Sequence, residues 1–468
     1  MVQSPSRPAA VPPSFDAKAL VEKQRAYFET RVTLPLQWRR EQLQALDRVA
    51  HKYEAEILSA LKSDLSKSPE EAFLTEAGSI YGEIKNALKN LKGWMKPRKG
   101  SAPIVIQPAR AYQYSEPLGV TLIIAPWNYP YQLSIAPLIG ALAAGCTAVL
   151  KPSELAPATS SVLRRMLSEA FPPEIVSVVE GGVEESQALL AERWDLIFFT
   201  GGTQVGRVVA EAAARHLTPT ILELGGKSPC IIDRSADLEV TARRIAWGKY
   251  VNAGQTCIAP DYVLIPPELK GRFTELVQKA VRSFYGDDTR TSGDYGRIIS
   301  TRHFERISAL AAHGKIAFGG ERDAASRFFA PTVITDAPVT SPLMQEEIFG
   351  PLLPLVDCPS IEDAIRFVRA RPKPLALYSF ARDASVNERV LRETSSGGAV
   401  TNDVCVHFAA EGLPFGGVGE SGLGGYHGQA SFDAFSHRKS VVKRPFLLDM
   451  ALRYPPYGGK LSLFKRLM

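Results

Sequence analysis

The sequence has few cysteines, and their arrangement disfavours two common roles. Its 468 residues contain five, an odd number, and no Cys-x-x-Cys pair. This usage argues against a disulfide scaffold and favours free thiols in a reducing compartment, so we expect a cytoplasmic protein. The seven histidines form no His-Glu-x-x-His motif and no close cluster with the cysteines. We therefore expect no metal site.

The sequence also lacks a long apolar run and a strong excess of charge. No stretch reaches the roughly 18 consecutive apolar residues that a membrane-spanning helix needs. The net charge of +6 is small for this length and does not favour a nucleic-acid partner. The segment MVQSPSRPAAVPPSF has no apolar core of a secretory signal. Residues 1–15 are therefore predicted to be a mobile tail.

The C-terminal tail, residues 451–468, ends in KLSLFKRLM, which is short, basic and amphipathic. Such a segment can dock on the surface of its own protein. It can also bind weakly to an anionic membrane surface. The sequence leaves both possibilities open, and peripheral membrane association with them.

What the sequence does contain is a regular alternation of strands and helices. Residues 16–97 repeat apolar side chains at three- and four-residue spacing, which predicts helices. From residue 120 onward, short apolar strands alternate with helices, and residues 230–425 repeat that alternation. Strands without polar alternation indicate parallel sheets covered on both faces. We predict an α/β protein with a doubly wound, Rossmann-like nucleotide-binding domain and a second α/β domain.

Cys257 is the cysteine whose surroundings favour chemistry. It lies in GKYVNAGQTCIAPDYVL, between a helical run and an apolar strand. Its neighbours are small, amide and hydroxyl residues, so backbone N–H groups can approach the sulfur and stabilise a thiolate. Cys146, Cys230 and Cys358 lie in or beside apolar strands and are typical of core residues, whereas Cys405 follows a polar turn and stays open. Cys257 is the candidate nucleophile.

Two other polar residues stand at the ends of apolar strands. Glu223, in ILELGGKSP, lies where open α/β sheets collect their ligands. A buried carboxylate with a raised pKa can act as a general base, although a capping or salt-bridged glutamate would give the same pattern. Asn128, in APWNYPYQLS, can donate to an oxyanion or cap the helix that follows.

Two motifs are candidates for contacts with a nucleotide. VLKPSE places Lys151 and Glu154 at the end of a strand, within reach of a ribose. TGGTQVG, residues 200–206, joins a strand to a helix whose N-terminus can bind a pyrophosphate. Its third position is Thr203, so it does not match the G-x-G-x-x-G fingerprint.

A few further residues are candidates for the substrate site. Tyr53, Trp94, Tyr129 and Phe408 can line a tunnel, although core aromatic residues would look the same. His407 is either near the mouth of such a tunnel or an ordinary core or surface histidine.

The order of the motifs resembles that of one enzyme family. QEEIFGP, residues 345–351, adds Glu347 and Phe349 to the motifs above, and LPFGGVGESG follows it. The series PWNYP, KPSE, TGGTQVG, ELGGKSP, GQTC, EEIFGP and LPFGGVGESG resembles the NAD(P)-dependent aldehyde dehydrogenase superfamily from about residue 16 to about 457. GQTCIAPDYVL, GLGGYHGQASFDAFSHRK and RYPPY are similar to its class 3 branch, which includes fatty and aromatic aldehyde dehydrogenases.

The resemblance implies a role for each matched residue. Cys257 would be the nucleophile, Glu223 the general base, and Asn128 the oxyanion donor beside the Cys257 backbone N–H. The residues that would contact the cofactor are Lys151, Glu154, Gly201, Thr203, Val205, Gly206, Trp127, Glu347 and Phe349. The sequence departs from the class 3 pattern at Gly202, where relatives often carry Asn or Ser.

The resemblance also implies a division of the chain. Residues 16–103 and 120–226 would form the cofactor-binding domain, and residues 227–425 the catalytic domain. Residues 104–119 and 426–450 would form a small β bridging and oligomerisation element. An unpaired strand edge in that element would favour a homodimer.

The implied reaction is the oxidation of apolar aldehydes to carboxylic acids through a thiohemiacetal and a thioester on Cys257. Medium- or long-chain, aromatic and apocarotenoid aldehydes are the expected substrates. Glu154 would repel a 2′-phosphate, so we expect NAD to be preferred, with some use of NADP. Two alternatives remain: a CoA-acylating relative, which would not need Glu223, and a non-catalytic scaffold, which would not need intact motifs.

Overall fold

The structure is a computed structural model that describes residues 15–410, 412–449 and 451–467. The tail predicted over residues 1–15 lies outside the described residues, apart from Phe15. The helices are α1 Ala17–Glu29, α2 Leu36–Lys52, α3 Glu54–Leu65, α4 Pro69–Ala72, α5 Gly78–Trp94, α6 Gln132–Ala144, α7 Pro157–Ala170, α8 Val183–Ala191, α9 Thr203–Ala214, α10 Leu238–Tyr250, α11 Pro267–Tyr285, α12 Thr301–Leu310, α13 Pro342–Gln345, α14 Ile361–Arg369, α15 Ala384–Glu393, α16 Gln429–Ala434 and α17 Leu461–Leu467. The strands are β1 Arg98–Gly100, β2 Arg110–Pro117, β3 Val120–Ile124, β4 Thr147–Lys151, β5 Val176–Val178, β6 Leu196–Thr200, β7 Thr220–Glu223, β8 Pro229–Ile232, β9 Tyr262–Ile265, β10 Lys315–Phe318, β11 Arg322–Asp323, β12 Phe328–Phe329, β13 Thr332–Thr335, β14 Leu352–Asp357, β15 Ala376–Phe380, β16 Gly398–Thr401, β17 Gly422–Leu423 and β18 Ser436–Lys443.

The first large sheet is doubly wound, as the sequence predicts. Its strand order is β17-β7-β6-β3-β4-β5. The strands from β7 to β5 are parallel, and β17 joins β7 in the antiparallel sense. The chain runs from β3 outward to β5, returns past β3, and continues through β6 to β7. Ligands of open α/β sheets bind at the carboxyl ends of strands where the winding reverses, which here is between β3 and β6.

Helix α6 gives the carboxyl end of β3 a rigid neighbour. All of its residues from Gln132 to Ala144 are buried, and it packs against α2, α5 and α16. It ends at Gly145, whose φ of 88° is left-handed and whose hydrogen faces the Arg39 side chain and a backbone oxygen, so a larger residue would clash there. The segment that joins β3 to α6, which includes Asn128, therefore leads into a fully buried helix.

The second large sheet has the order β10-β13-β14-β9-β8-β15-β16, and all neighbours except β10 and β13 are parallel. The connection from the first sheet is short, since β7 ends at Glu223 and β8 begins at Pro229. The carboxyl edge of the first sheet consequently meets the amino edge of the second. Residues that follow β3 and β7 are brought towards residues that precede β9 and β14.

The third sheet differs in part from the sequence expectation. Its order is β1-β2-β18, with β18 at an edge. The strand expected within residues 104–119 begins only at Arg110, because Ile104–Ile106 form a 3₁₀ turn. β1 joins this sheet although it precedes the segments expected to form the bridging element.

Two further properties concern the described residues as a set. None of the helices in the described ranges is long and apolar enough to cross a membrane. Within the same ranges, no group of three or more His, Cys, Asp or Glu side chains is placed to hold a metal ion.

Candidate active site

Cys257 lies on the loop between α10 and β9, at the amino edge of the second sheet. Asn252 has a left-handed φ of 51°, which turns the chain sharply after α10. The buried side chain of Gln255 donates to the carbonyl oxygens of Asn252 and Arg297, each at 3.0 Å. Its own Oε1 accepts the backbone N–H of Ile299 at 2.9 Å. The loop is thereby fixed, while Cys257 itself remains partly exposed.

Asn128 approaches this loop from the carboxyl end of β3. Its Nδ2 donates to the carbonyl oxygen of Gln255 at 3.0 Å, and the residue is 2% exposed. Asn252 Nδ2 donates in turn to the carbonyl oxygen of Asn128 at 2.8 Å. An amide nitrogen carries two hydrogens. One hydrogen of the Asn128 amide therefore remains available to a further acceptor beside the Cys257 loop.

A buried ion pair, absent from the sequence analysis, holds the Asn128 segment. Lys67 Nζ lies 2.5 Å from Glu76 Oε1, and both side chains have no exposed surface. Lys67 also donates to the carbonyl oxygen of Asn128 at 3.1 Å. Glu76 Oε2 accepts the backbone N–H groups of residues 131 and 132 at 2.9 and 3.2 Å. Glu76 belongs to a π-helical turn, Phe73–Ala77, a feature frequent at functional sites.

Glu223 is the last residue of β7 and is 3% exposed. Neither of its carboxyl oxygens has a hydrogen-bond partner among the described residues. Burial raises the pKa of Glu223 well above its usual range. Burial first, then the nearby carboxylates of Glu347 and Glu223, raise the pKa of the Cys257 thiol. The Glu223 carboxylate is therefore close enough to the Cys257 sulfur to affect the pKa of the thiol.

Glu347 and Phe349 precede β14 at the same edge as Cys257. The Glu347 carboxyl packs against Gly225, where a side chain would collide with it. Burial first, and then Asp261, raise the pKa of Glu347 to about 8. The Phe349 ring contacts Trp127 edge to face, with centroids 5.3 Å apart. These groups lie beside the carboxyl end of β3.

Three charged residues that sequence reasoning missed hold the Glu347 loop. Arg306 donates to the carbonyl oxygens of Glu347 and Ile348 at 3.2 and 2.6 Å. Asp261 accepts the Ile348 N–H at 2.9 Å and pairs with Lys227. Lys227 stands in the ELGGKSP motif, but its partners are more than 30 positions away in the sequence, so local sequence carries no signal for this clamp.

The adenosine-side candidates lie at the carboxyl ends of β4 and β6. Lys151 is 2% exposed, donates to the Pro152 carbonyl oxygen at 2.8 Å, and lies 3.9 Å from the half-exposed carboxylate of Glu154. Burial lowers the pKa of Lys151. The Lys151 ammonium group donates to one carbonyl oxygen and has the Glu154 carboxylate at a longer distance. It can therefore donate a further hydrogen bond to a ligand, such as a hydroxyl group.

Helix α9 begins at Thr203, directly after Gly201 and Gly202, and has no side-chain cap. Its first backbone N–H groups are therefore open to an anion. Val205 is exposed at this end, and Gly206 packs so closely on Leu224 that a Cβ would collide there. The uncapped helix end and exposed apolar side chain after β6, and the buried amine at the end of β4, lie on either side of β3. This arrangement fits a dinucleotide cofactor.

A cavity of about 460 Å³ opens on Cys257 and Thr256. Most of its other lining residues are apolar, among them Leu74, Leu133, Trp247, Val251, Ile258, Val406, Phe408 and Phe415. Tyr129 and Phe408 line it, whereas Tyr53 and Trp94 do not. His407 is likewise not a lining residue: it contacts Tyr378 and Phe415, and burial lowers its pKa to about 4.

The fold and the site define a nucleotide-dependent enzyme with a cysteine at the meeting edge of two α/β sheets. The sequence model of the aldehyde dehydrogenase family matches residues 11–441. The chain therefore belongs to that family. The protein is an NAD(P)-dependent aldehyde dehydrogenase.

Similar proteins agree with this assignment over nearly the whole chain. "Aldehyde dehydrogenase, dimeric NADP-preferring" of Canis lupus familiaris is 45% identical, with 95% of this chain and 98% of the relative aligned. "4,4'-diaponeurosporen-aldehyde dehydrogenase" of Staphylococcus aureus is 45% identical, covering 94% and 96%. The substrate-bound state of Staphylococcus aureus AldH superposes with a TM-score of 0.94 at 43% identity, covering 96% and 98%.

Proposed function

We propose that Cys257, Glu223 and Asn128 carry the oxidation of apolar aldehydes to carboxylic acids. The observation that carries this proposal is the cavity, whose mainly apolar walls end at Cys257. Medium- or long-chain, aromatic and apocarotenoid aldehydes match such walls, since burial of apolar surface favours their binding. The Staphylococcus aureus relative named 4,4'-diaponeurosporen-aldehyde dehydrogenase supports this range.

The chemistry follows from the three side chains. The Cys257 thiolate adds to the aldehyde carbon, and the oxyanion accepts hydrogen bonds from Asn128 Nδ2 and the Cys257 backbone N–H. Bound NAD(P)⁺ supplies the acceptor for the hydride that leaves this carbon, so that a thioester remains on Cys257. Glu223 then takes a proton from water as the water attacks the thioester. The carboxylic acid leaves, and the thiolate of Cys257 is restored.

The cofactor is proposed to lie across the carboxyl ends of β3, β4 and β6. Lys151 and Glu154 would hold its adenosine ribose. The nicotinamide half would contact Trp127, Glu347 and Phe349. The pyrophosphate and adenine would contact the N-terminal end of α9 and the residues before it, namely Gly201, Thr203, Val205 and Gly206. Glu154 disfavours a 2′-phosphate, so we propose a preference for NAD. Tighter binding of NADP in a cofactor titration would contradict this.

The structure favours hydrolysis over acyl transfer to CoA. Glu223 keeps both carboxyl oxygens unpartnered among the described residues, as a base awaiting a water molecule would. The presence of all the catalytic candidates also favours turnover over a scaffold role. Adding CoA should leave the rate and the acid product unchanged.

We further propose a cytoplasmic homodimer with the chain divisions given above. β18 is an edge strand that can pair with a second copy, and the dog relative is named as dimeric. The C-terminal tail exposes Leu461 and Leu463 in helix α17, whose last turn is basic. Weak binding of this tail to anionic membranes is therefore proposed, and sedimentation with anionic and neutral vesicles tests it.

NADH formation with acetaldehyde, octanal, hexadecanal, benzaldehyde and retinal tests the proposed substrates. We expect little activity with acetaldehyde, which cannot fill the cavity, and clear activity with several of the larger aldehydes. Cys257→Ala is the control variant. Activity that survives this substitution would exclude the mechanism.

A further inference from the structure

The apolar cavity contains a cluster of polar side chains that the proposed mechanism does not use. We call Gln132, Tyr426 and His427, together with Glu83, the polar cluster. All four line the cavity. Polar groups buried without a hydrogen-bond partner are unfavourable, because folding removes their water without replacing it. We therefore looked for a polar ligand group that could form hydrogen bonds with the polar cluster.

The orientation of His427 is fixed from several sides. Its Nδ1 lies 3.1 Å from Glu83 Oε2, and the N–H of Gly428 donates to Glu83 Oε1 at 3.3 Å. Its ring stacks on Tyr426 with centroids 4.1 Å apart and meets Phe408 edge to face at 4.8 Å. Because a carboxylate only accepts, Nδ1 carries the hydrogen that points to Glu83. In the neutral ring, Nε2 is then an acceptor.

Three atoms of the cluster are buried and have no hydrogen-bond partner among the described residues. They are Nε2 of His427, the hydroxyl of Tyr426 and Nε2 of Gln132. Tyr426 has no exposed surface and Gln132 is 3% exposed. The Gln132 amide lies near enough to the Tyr426 hydroxyl to offset part of the rise in the pKa of Tyr426 that burial causes. With that amide directed at Tyr426, the set offers a ligand one acceptor, His427 Nε2, and one donor, the Tyr426 hydroxyl. A hydroxyl group, which donates one hydrogen bond and accepts two, has the complementary pattern.

We propose that the polar cluster is a substrate subsite that binds a hydroxyl group. The preferred substrates are then apolar aldehydes with a hydroxyl group remote from the aldehyde carbon. This inference rests on the proposed function, because the aldehyde carbon is taken to lie at Cys257. An ether or keto oxygen in the same place cannot donate to His427 Nε2, so a hydroxyl group is favoured over both.

The test compares matched aldehydes that differ by one hydroxyl group. Octanal, decanal and dodecanal are each paired with the ω-hydroxy and ω-methoxy analogues, and benzaldehyde with its 3- and 4-hydroxy derivatives. In at least one pair, we expect the hydroxyl group to raise kcat/KM by about tenfold, a gain typical of a buried hydrogen bond. The methoxy analogue should lack this gain.

Tyr426→Phe and Gln132→Leu test the cluster directly. Each should reduce the ratio of kcat/KM for the hydroxylated aldehyde over its parent towards one. Tyr129→Phe is the matched control, since it removes a hydroxyl from the same cavity that is already bonded to Thr256 Oγ1 at 2.6 Å. The ratio should persist in that variant. Loss of the ratio in Tyr129→Phe but not in Tyr426→Phe would overturn the assignment.

Calorimetric titration of the Cys257→Ala enzyme with the best pair supplies a readout without turnover, and the hydroxylated aldehyde should bind about tenfold tighter. Oxidation of unsubstituted aldehydes without a hydroxyl preference in any pair would overturn the subsite and leave the proposed function standing. Failure to oxidise any member of the panel would overturn both.

Discussion

At the scale of single residues, removal of the Glu223 carboxylate is predicted to separate the two halves of the reaction. Glu223→Gln should still form the thioester but should hydrolyse it slowly. We expect a burst of one NADH per site, followed by turnover reduced by about a hundredfold or more. Stopped-flow absorbance measures the burst, and mass spectrometry detects the acyl group on Cys257. Linear progress at the native rate would exclude the role as base.

Asn128 is predicted to act in both halves, since an oxyanion forms in each. Asn128→Ala should lower kcat by about a hundredfold or more, the usual effect of losing an oxyanion donor. Steady-state kinetics measures this, and thermal unfolding checks that the fold is retained. An unchanged turnover number would remove the assigned role.

The pKa of the Cys257 thiol is predicted to depend on the charge of Glu347. Glu347 is the carboxylate that contributes most to the raised pKa of this thiol after burial. A negative charge disfavours a nearby thiolate, so Glu347→Gln should lower the thiol pKa. The rate of iodoacetamide reaction against pH, in cofactor-free enzyme, measures it. Glu346→Gln, at the exposed neighbouring position, is the control and should leave the profile in place.

At the scale of elements, the π-helical turn and the segment before α6 act as one unit through Lys67 and Glu76. Lys67→Met should lower kcat by about tenfold or more with little change in KM, because it removes one of the two hydrogen bonds that hold the Asn128 carbonyl oxygen and leaves only that from Asn252. Lys67→Arg should restore part of the loss. In the Asn128→Ala background, Lys67→Met should have little further effect on kcat, since both act through the same amide.

Asp64→Asn is the matched control for that cycle. Asp64 is also buried and charged, but it accepts hydrogen bonds from Ala158 and Thr159 at the start of α7. Its substitution should lower the melting temperature while kcat of the folded enzyme stays near the native value. Equal kcat losses in Asp64→Asn and Lys67→Met would show that Lys67 supports only the fold.

The elements also show where sequence reasoning ends. The alternation of apolar strands and helices is a local pattern, so it predicted the doubly wound sheet and placed Asn128 and Glu223 at strand ends. Cys257 instead precedes a strand, and its position depends on how two sheet edges meet. The pairing of Lys67 with Glu76 depends on a buried contact between elements, and the SKSPEEAFLTEAG segment contains nothing that marks it.

At the scale of the whole molecule, β18 is predicted to join two copies of the chain. Val442 is exposed on this strand, beside the basic residues Arg438, Lys439 and Lys443. Val442→Lys adds positive charge to each copy and should shift the dimer towards monomer, since edge lysines oppose strand pairing. Sedimentation velocity at several concentrations measures the shift. A variant that stays as dimeric as the native protein would place the interface elsewhere.

The separation of the two ligand regions has a consequence for inhibition. Cys257 borders the apolar cavity, whereas Trp127, Glu347 and Phe349 are not among its lining residues. A long-chain alcohol or amide lodged in the cavity would thus occupy the place of the aldehyde without displacing the dinucleotide. Its inhibition pattern should be competitive against aldehyde and not against NAD(P), so compounds built on the cavity could distinguish this enzyme from others that share its cofactor.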